Sequence, residues 1–250
     1  MIIRHMRSSC WPRRPNEVTN EETDFVRISL GRLLICALAT LAIGYYTVRA
    51  SRAFFFSYSD FHPPREQIVH PAGQIDSRLQ DIAFETDDGT RVEGWSLPSS
   101  NGAVIVFLHG SPGNRKQLLP VAVSLNEHGY GALLLDMPGH GESGGRADWG
   151  ISSYNAVKRA MDLASKSAGI RHIALFGYSM GSFIAVQIAA RELRVNALVL
   201  LAPFTNLADE IRYQFQSRVP FLNEFSVVAA RMAGVPVDHM RTVDILKVTA

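Results

Sequence analysis

Gly177-Tyr178-Ser179-Met180-Gly181 is the strongest chemical signal in the chain. A G-x-S-x-G pentapeptide gains meaning when a strand runs into it and a helix leaves it. Here the apolar run His172–Phe176 (HIALF) precedes it, and a helical run of small residues, Met180–Arg191, follows. Such a turn lifts a serine hydroxyl off the end of a sheet, while flanking glycines let backbone pass where a Cβ would clash. The helix N-terminus then sets N–H groups and positive dipole charge where an oxyanion develops. Ser179 is the candidate nucleophile, and the N–H of Met180 is one candidate oxyanion donor. A second donor must come from a loop after an earlier strand. His109-Gly110-Ser111-Pro112-Gly113-Asn114, after the run Ala103–Leu108 (AVIVFL), supplies it at Ser111.

Other patterns compete for attention and fail on context. His109 closes a buried strand, so it reads as structural rather than as a base. Gly110–Lys116 lacks the spacing of a phosphate loop. Gly139-His140-Gly141-Glu142-Ser143-Gly144 is formally G-x-G-x-x-G, but a dinucleotide site needs a helix to begin at those glycines. Instead Gly145, Asp148 and Gly150 continue a loop, and Ser152 or Ser153 is positioned to cap the next helix. His140 and Glu142 imitate an H-x-E deaminase pair, with no C-x-x-C after them.

The elements that must hold these residues follow from periodicity. Asp81–Thr86 and Arg91–Leu97, joined by Asp87-Asp88-Gly89, read as an antiparallel hairpin. Ala103–Leu108, Gly131–Leu135, His172–Phe176 and Ala197–Leu201 are continuous apolar runs, the signature of strands buried on both faces. Helical segments separate them: one capped by Asn114 and running to about Asn126, one reaching about Ala168, and Met180–Arg191. Strands alternating with helices imply an α/β fold with a doubly wound, mostly parallel sheet. Asp209–Gln216 and Glu224–Met232 form a helical insertion within 204–240, lying over the carboxyl ends of the strands. Its Phe204, Tyr213, Phe215, Phe221, Leu222 and Phe225 suit an apolar acyl pocket or ordinary core packing equally.

These motifs together resemble the α/β-hydrolase superfamily. The similarity is closest to membrane-anchored Bem46-like or serine-aminopeptidase-S33-type hydrolases. It rests on HGSPGN after one strand, Asp136-Met-Pro-Gly-His-Gly-Glu-Ser-Gly after the next, and GYSMG after the third. Asp88-Gly89-Thr90…Gly94-Trp95-Ser96-Leu97 and Leu201-Ala202-Pro203-Phe204-Thr205 fit too, so the resemblance covers residues 81–250. It implies hydrolysis of an ester, thioester or amide through an acyl-serine, with no cofactor and no metal. A small-molecule or lipid-like acyl compound would be the substrate. The superfamily's chain order is Ser…Asp/Glu…His. After Ser179 the only histidine is His239, near Asp238 and Asp244, and nothing in the sequence places those acids on it. The expectation is a C-terminally truncated hydrolase that is inactive or impaired, its fourth parallel strand at an exposed edge. The alternative is a non-catalytic membrane-anchored scaffold or binding protein that keeps the fold.

Composition bounds the rest. The chain has 250 residues, 47% of them hydrophobic and 19% charged, which excludes a disordered chain. A net charge of +2 gives no pull toward nucleic acid. Cys10 and Cys36 both precede the globular part, so a disulfide scaffold and a zinc module are excluded. Leu33–Val48 is uncharged, and with the stretch back to Ile28, Arg32 included, it reaches the length of a membrane span. Tyr45 and Tyr46 suit an interfacial belt. A single transmembrane anchor over 28–50 is expected, in preference to a signal peptide or a core helix, after a flexible tail, 1–27. Four arginines before the run (13, 14, 27, 32) and three after it (49, 52, 65) lean toward an extracytoplasmic body. Residues 51–80 are read as a membrane-proximal linker whose aromatics, Phe54, Phe55, Phe56, Tyr58 and Phe61, either rest in the membrane interface or pack on the domain, packing being the simpler expectation.

Overall fold

In the computed structural model of the chain, residues 15–71, 77–214, 221–232, 235 and 237 are described, with the backbone alone for 15–29, 53, 56, 57, 60, 221 and 222. The chain divides into two units, Met1–Arg49 and Ala50–Ala250. The first is the greater part of helix α1 (Pro15–Asp60). Within α1, Leu30–Arg52 is an apolar stretch of 23 residues with mean hydropathy 1.6, none of it buried. It is long and apolar enough to cross a membrane, and a signal sequence would have the same properties. The helix takes in part of the expected tail and part of the expected linker. Nothing breaks it, because the next prolines after Pro15 are Pro63 and Pro64.

The second unit is built on one sheet. Its strands are β1 (Gln80–Glu85), β2 (Arg91–Leu97), β3 (Ala103–Leu108), β4 (Gly131–Leu135), β5 (His172–Tyr178) and β6 (Val195–Leu201). They lie in the order β1-β2-β4-β3-β5-β6. The β1–β2 hairpin is antiparallel, with Glu85 opposite Arg91, and β2 runs antiparallel to β4. The β3–β4, β3–β5 and β5–β6 pairs are parallel. Asp88 closes the hairpin turn, its Oδ1 accepting from Thr86 Oγ1 at 2.5 Å and Thr90 N at 3.1 Å.

Alternation along β3 shows why these runs are apolar throughout. Val104, Val106 and Leu108 belong to the core on one face, with Ala160 and Met161 of α3 (Ile151–Lys166) and Phe183 and Ile184 of α4 (Met180–Ala189). Ile105 and Phe107 belong to the core on the other face, with Leu119 and Ala122 of α2 (Leu119–Glu127). A strand with helices over both faces must be apolar at every position. The expected doubly wound sheet is what the chain forms.

Two local expectations change. The segment after Asn114 opens as a 3-10 turn, Arg115–Leu118, before α2 begins; Asn114 caps that turn, accepting from Lys116 N at 3.0 Å. Neither Ser152 nor Ser153 caps α3. Asp148 does so from outside the helix, accepting from Gly150 N at 2.9 Å and Ser152 N at 3.0 Å, and Ser153 is buried. A carboxylate at a helix N-terminus gains from the dipole as well as the hydrogen bonds.

Among the described residues β6 lies at the edge of the sheet, with Val199 and Leu201 about half exposed. On the α2 face, the sheet next to it leaves an apolar groove of about 1060 Å³ between Val121 and Leu125 of α2 and Phe176 and Val199. The helical insertion appears as α5 (Leu207–Gln214) and α6 (Phe221–Met232). Leu207, Ile211, Val227 and Ala230 share one core cluster with Met180 and Phe183 at the start of α4, and Phe204 stacks on Phe183 with centroids 4.9 Å apart. Tyr213 and Phe225 are exposed, so the insertion's aromatics do not line one cavity. The side chains of Phe215, Phe221 and Leu222, and the strand expected after Asp244, lie outside the described residues.

Candidate active site

Ser179 sits between β5 and α4 with φ +49° and ψ −111°. A non-glycine residue at such a φ is held there by its surroundings against a cost of about 1–3 kcal/mol. The surroundings are visible. Ser179 N donates to Leu201 O at 2.9 Å, so the end of β6 fixes the turn from one side. Ser182 Oγ, fully buried, reaches Gly177 O at 2.7 Å and Leu201 O at 2.8 Å, locking the first turn of α4 to both strands. Both glycines of the pentapeptide are sterically required. A Cβ on Gly177 would stand 2.5 Å from Gly181 O and Ser182 Cα, and one on Gly181 would overlap the Leu108 carbonyl oxygen. The elbow packs against the last residue of β3 at a distance only glycine permits.

That contact brings the β3 loop to the serine. A Cβ on Gly110 would lie 3.3 Å from Ser179 Cβ and 2.9 Å from Tyr178 Cδ1. The loop is tight: the Ser111–Pro112 bond is cis, Gly113 N donates to Gly110 O at 2.7 Å, and Gly110 N donates to Gln117 Oε1 at 2.8 Å. Ser111 follows directly on the residue that touches the elbow, and Met180 is the first residue of α4, buried beneath it. All three sequence-derived residues, Ser179, Met180 and Ser111, therefore meet at one end of the sheet.

The two histidines above the sheet are already engaged. His109 is buried; its Nε2 accepts from Met137 N at 3.0 Å and its Nδ1 donates to Gly110 O at 2.9 Å. Burial, with the neighbouring His140 imidazole, pushes His109 down to about 3. His140 donates from Nδ1 to Pro138 O at 3.2 Å, leaving Nε2 to accept from Ser111 Oγ at 3.3 Å. Burial lowers it to about 4, and the Arg65 charge acts in the same direction. Both rings are neutral at physiological pH, packed edge to face with centroids 5.1 Å apart. They pin the β3 and β4 loops to each other. Among the described residues, no imidazole is hydrogen-bonded to Ser179; His239, Asp238 and Asp244 lie outside them.

Sequence reasoning missed a buried charge cluster beneath the loops. Arg115 donates to Asp136 twice, from its backbone N at 2.7 Å and from Nη1 at 2.9 Å, and pairs with Glu142 through Nη2. Glu142 N donates to Asp136 Oδ2 at 2.9 Å, and the guanidinium lies 4.9 Å over the Trp95 ring. Burial pushes the Asp136 carboxyl up, opposed by these N–H donors and the guanidinium. Gly141 carries no Cβ because Asp136 occupies that space. The Asp136-to-Gly144 motif thus makes a scaffold. Its glycines shape a loop, and α3 begins only at Ile151, so no helix N-terminus faces them. Asp136 and Glu142 were legible as motif letters, but their shared partner was not.

The sequence profile described as the alpha/beta hydrolase fold matches residues 103–225. The chain has the α/β-hydrolase fold. Among curated proteins, the chain is 30% identical over 179 residues to the uncharacterized protein Rv2307c of Mycobacterium tuberculosis, covering 70% of the chain and 61% of that protein. It is 31% identical over 123 residues to the mouse lysophosphatidylserine lipase ABHD12, covering 46% of the chain and 30% of the lipase. Among solved structures, the Pyrococcus furiosus esterase Pf2001 superposes with a TM-score of 0.60 at 20% identity, covering 74% of the chain and 73% of the esterase. The α/β-hydrolase chain thus spans less than two thirds of the length of Rv2307c.

Proposed function

We propose that this α/β-hydrolase protein is a membrane-tethered serine hydrolase that cleaves an ester, thioester or amide through an acyl-Ser179 intermediate. The observation that carries the reading is Ser179 itself. Its strained φ of +49° is maintained at a strand-to-helix turn, where glycine-only packing brings it against the β3 loop. Strain of this kind is kept where function needs it. The Ser179 hydroxyl attacks the substrate carbonyl carbon. The carbonyl π electrons move to oxygen, and Met180 N–H and Ser111 N–H receive the oxyanion. The leaving group departs with a proton, and water then hydrolyses the acyl-serine.

A serine needs a general base and a group to orient that base. His109 and His140 are committed to the loops, so this reading assigns the base and its acid to residues other than the described histidines above the sheet. The similarity to a mammalian lysophospholipid lipase and the apolar stretch Leu30–Arg52 favour a lipid-like acyl ester over a soluble one. The same stretch supports single-pass tethering, and the arginines that flank it lean toward a body on the extracytoplasmic side. The second reading, a non-catalytic anchored scaffold or binding protein, draws on the committed histidines alone.

A fluorophosphonate probe on the complete gene product separates them. Covalent labelling that disappears in Ser179→Ala supports the hydrolase. Labelling that survives the substitution overturns the assignment of Ser179.

A further inference from the structure

Residues 61–71 (FHPPREQIVHP) look like a spacer, with three prolines and no regular secondary structure. Their contacts are not those of a spacer. Phe61 is buried against Trp149, ring centroids 4.9 Å apart. Arg65 Nη2 donates to Gly145 O at 3.0 Å. Glu66 holds the loop after β3 at two points, Oε2 accepting from Asn114 Nδ2 at 2.8 Å and Oε1 pairing with Lys116 Nζ at 3.1 Å. Ile68 is buried in the core on the α2 face, and its N–H donates to Glu142 Oε1 at 3.1 Å. Glu142 in turn grips Arg115, and Arg115 grips Asp136. This one extended segment is thus fastened to both loops that frame Ser179.

We propose that residues 61–71 are a positioning strap for the oxyanion loop, with Glu66 as its principal positioning residue. The inference rests on the serine-hydrolase reading for its catalytic consequence but not for its mechanics. Asn114 is the pivot. Its Oδ1 caps the 3-10 turn while its Nδ2 is held by Glu66, so one carboxylate fixes the side chain whose other end orders Arg115–Leu118. Ser111 lies three residues upstream of that pivot. A donor displaced by a fraction of an ångström loses much of its effect on a developing oxyanion. The strap also continues directly from α1. The chain between the apolar stretch and the domain is therefore part of the site's framework, and severing or slackening it changes reactivity at Ser179 without touching the elbow.

Glu66→Ala and Glu66→Gln, in the complete gene product, test this. The Glu66 side chain is 55% exposed, although Asn114 beneath it is buried, so both variants should fold, with melting temperatures only slightly below wild type. Amide hydrogen exchange needs no activity. In Glu66→Ala, peptides spanning 109–118 should exchange about tenfold faster, while peptides from β5 are unchanged. Glu66→Gln, which keeps an acceptor for Asn114, should recover part of the protection. In the probe assay, Glu66→Ala should lower the maximal labelling rate at Ser179 about tenfold and leave the probe's apparent affinity unchanged, because the donors act on the transition state. Unchanged exchange over 109–118 overturns the strap. So does altered exchange with wild-type labelling, since Glu66 then has only a structural role. Absence of Ser179 labelling in the wild type overturns the hydrolase reading alone; in that case the exchange result decides whether the strap holds the loop.

Discussion

Lowering the pH from about 7 to about 5 is the most direct test of the roles given to His109 and His140. Both rings donate from Nδ1 to a backbone carbonyl. Burial holds His109 at about 3 and His140 at about 4, against 6.5 for the free side chain. Between those values and 6.5, the unfolded chain binds protons that the folded chain refuses. Stability is therefore complete above the unfolded value and falls as pH drops through it, until the folded values are reached. Each histidine contributes about 1.4 kcal/mol per pH unit in that window, so the pair should cost on the order of 4 kcal/mol at pH 5 relative to pH 7. Urea unfolding of the detergent-solubilised protein at several pH values measures this. Carboxylates titrate in the same range, so the decisive quantity is a difference. His140→Gln should remove about 2 kcal/mol of the pH 7-to-5 dependence relative to wild type. Identical pH dependence in the two proteins would refute the claim that His140 is a neutral structural group. It would reopen His140 as a base for Ser179.

Three other perturbations follow from the packing. Gly181→Ala drives a methyl into the Leu108 carbonyl and should lower stability by about 1–3 kcal/mol and abolish probe labelling; full labelling would show that the elbow does not need this approach. Asp136→Asn leaves the Arg115 guanidinium, 4% exposed, with only the Glu142 carboxylate, and should cost about 3–5 kcal/mol in urea unfolding. Arg115→Met combined with Asp136→Leu should cost less than Asp136→Asn alone, and a larger loss in the double variant would contradict the account of the clamp. Leu41→Arg, midway along Leu30–Arg52, adds about 2.5–3.5 kcal/mol to membrane insertion, so the protein should shift from the membrane to the soluble fraction; unchanged fractionation would count against a span there.

Much of the sheet was legible because short-range pattern determines it. AVIVFL, GALLL, HIALF and ALVLL read as strands covered on both faces and became β3, β4, β5 and the body of β6, but ALVLL is not covered on both faces: Ala197, Val199 and Leu201 are exposed. The elbow was equally legible. Its requirement for small residues on both sides of Ser179 is local, and the structure gives the reason at Gly177 and Gly181, where neighbouring backbone leaves no room for a Cβ. The late start of the helix after Gly144 was legible as well, because the distance from Gly144 to Ile151 is a property of the sequence.

What tertiary structure decided are the contacts between residues far apart in the chain. Ile68 meets Glu142 across 74 positions, Glu66 meets Asn114 across 48, and Arg65 meets Gly145 across 80. No periodicity encodes such pairs, since each depends on where the loops come to rest above the sheet. Asp148 took the cap of α3 from the two serines for a related reason: Ser153 faces the core, so its burial overrides its capping preference. The sequence by itself determined the sheet, the strand-to-helix turn at Ser179 and the glycines around it, because covalent geometry and hydrophobic burial act locally. Only the folded chain could turn an apparent linker into a strap, because hydrogen bonds and ion pairs are chosen by proximity in space.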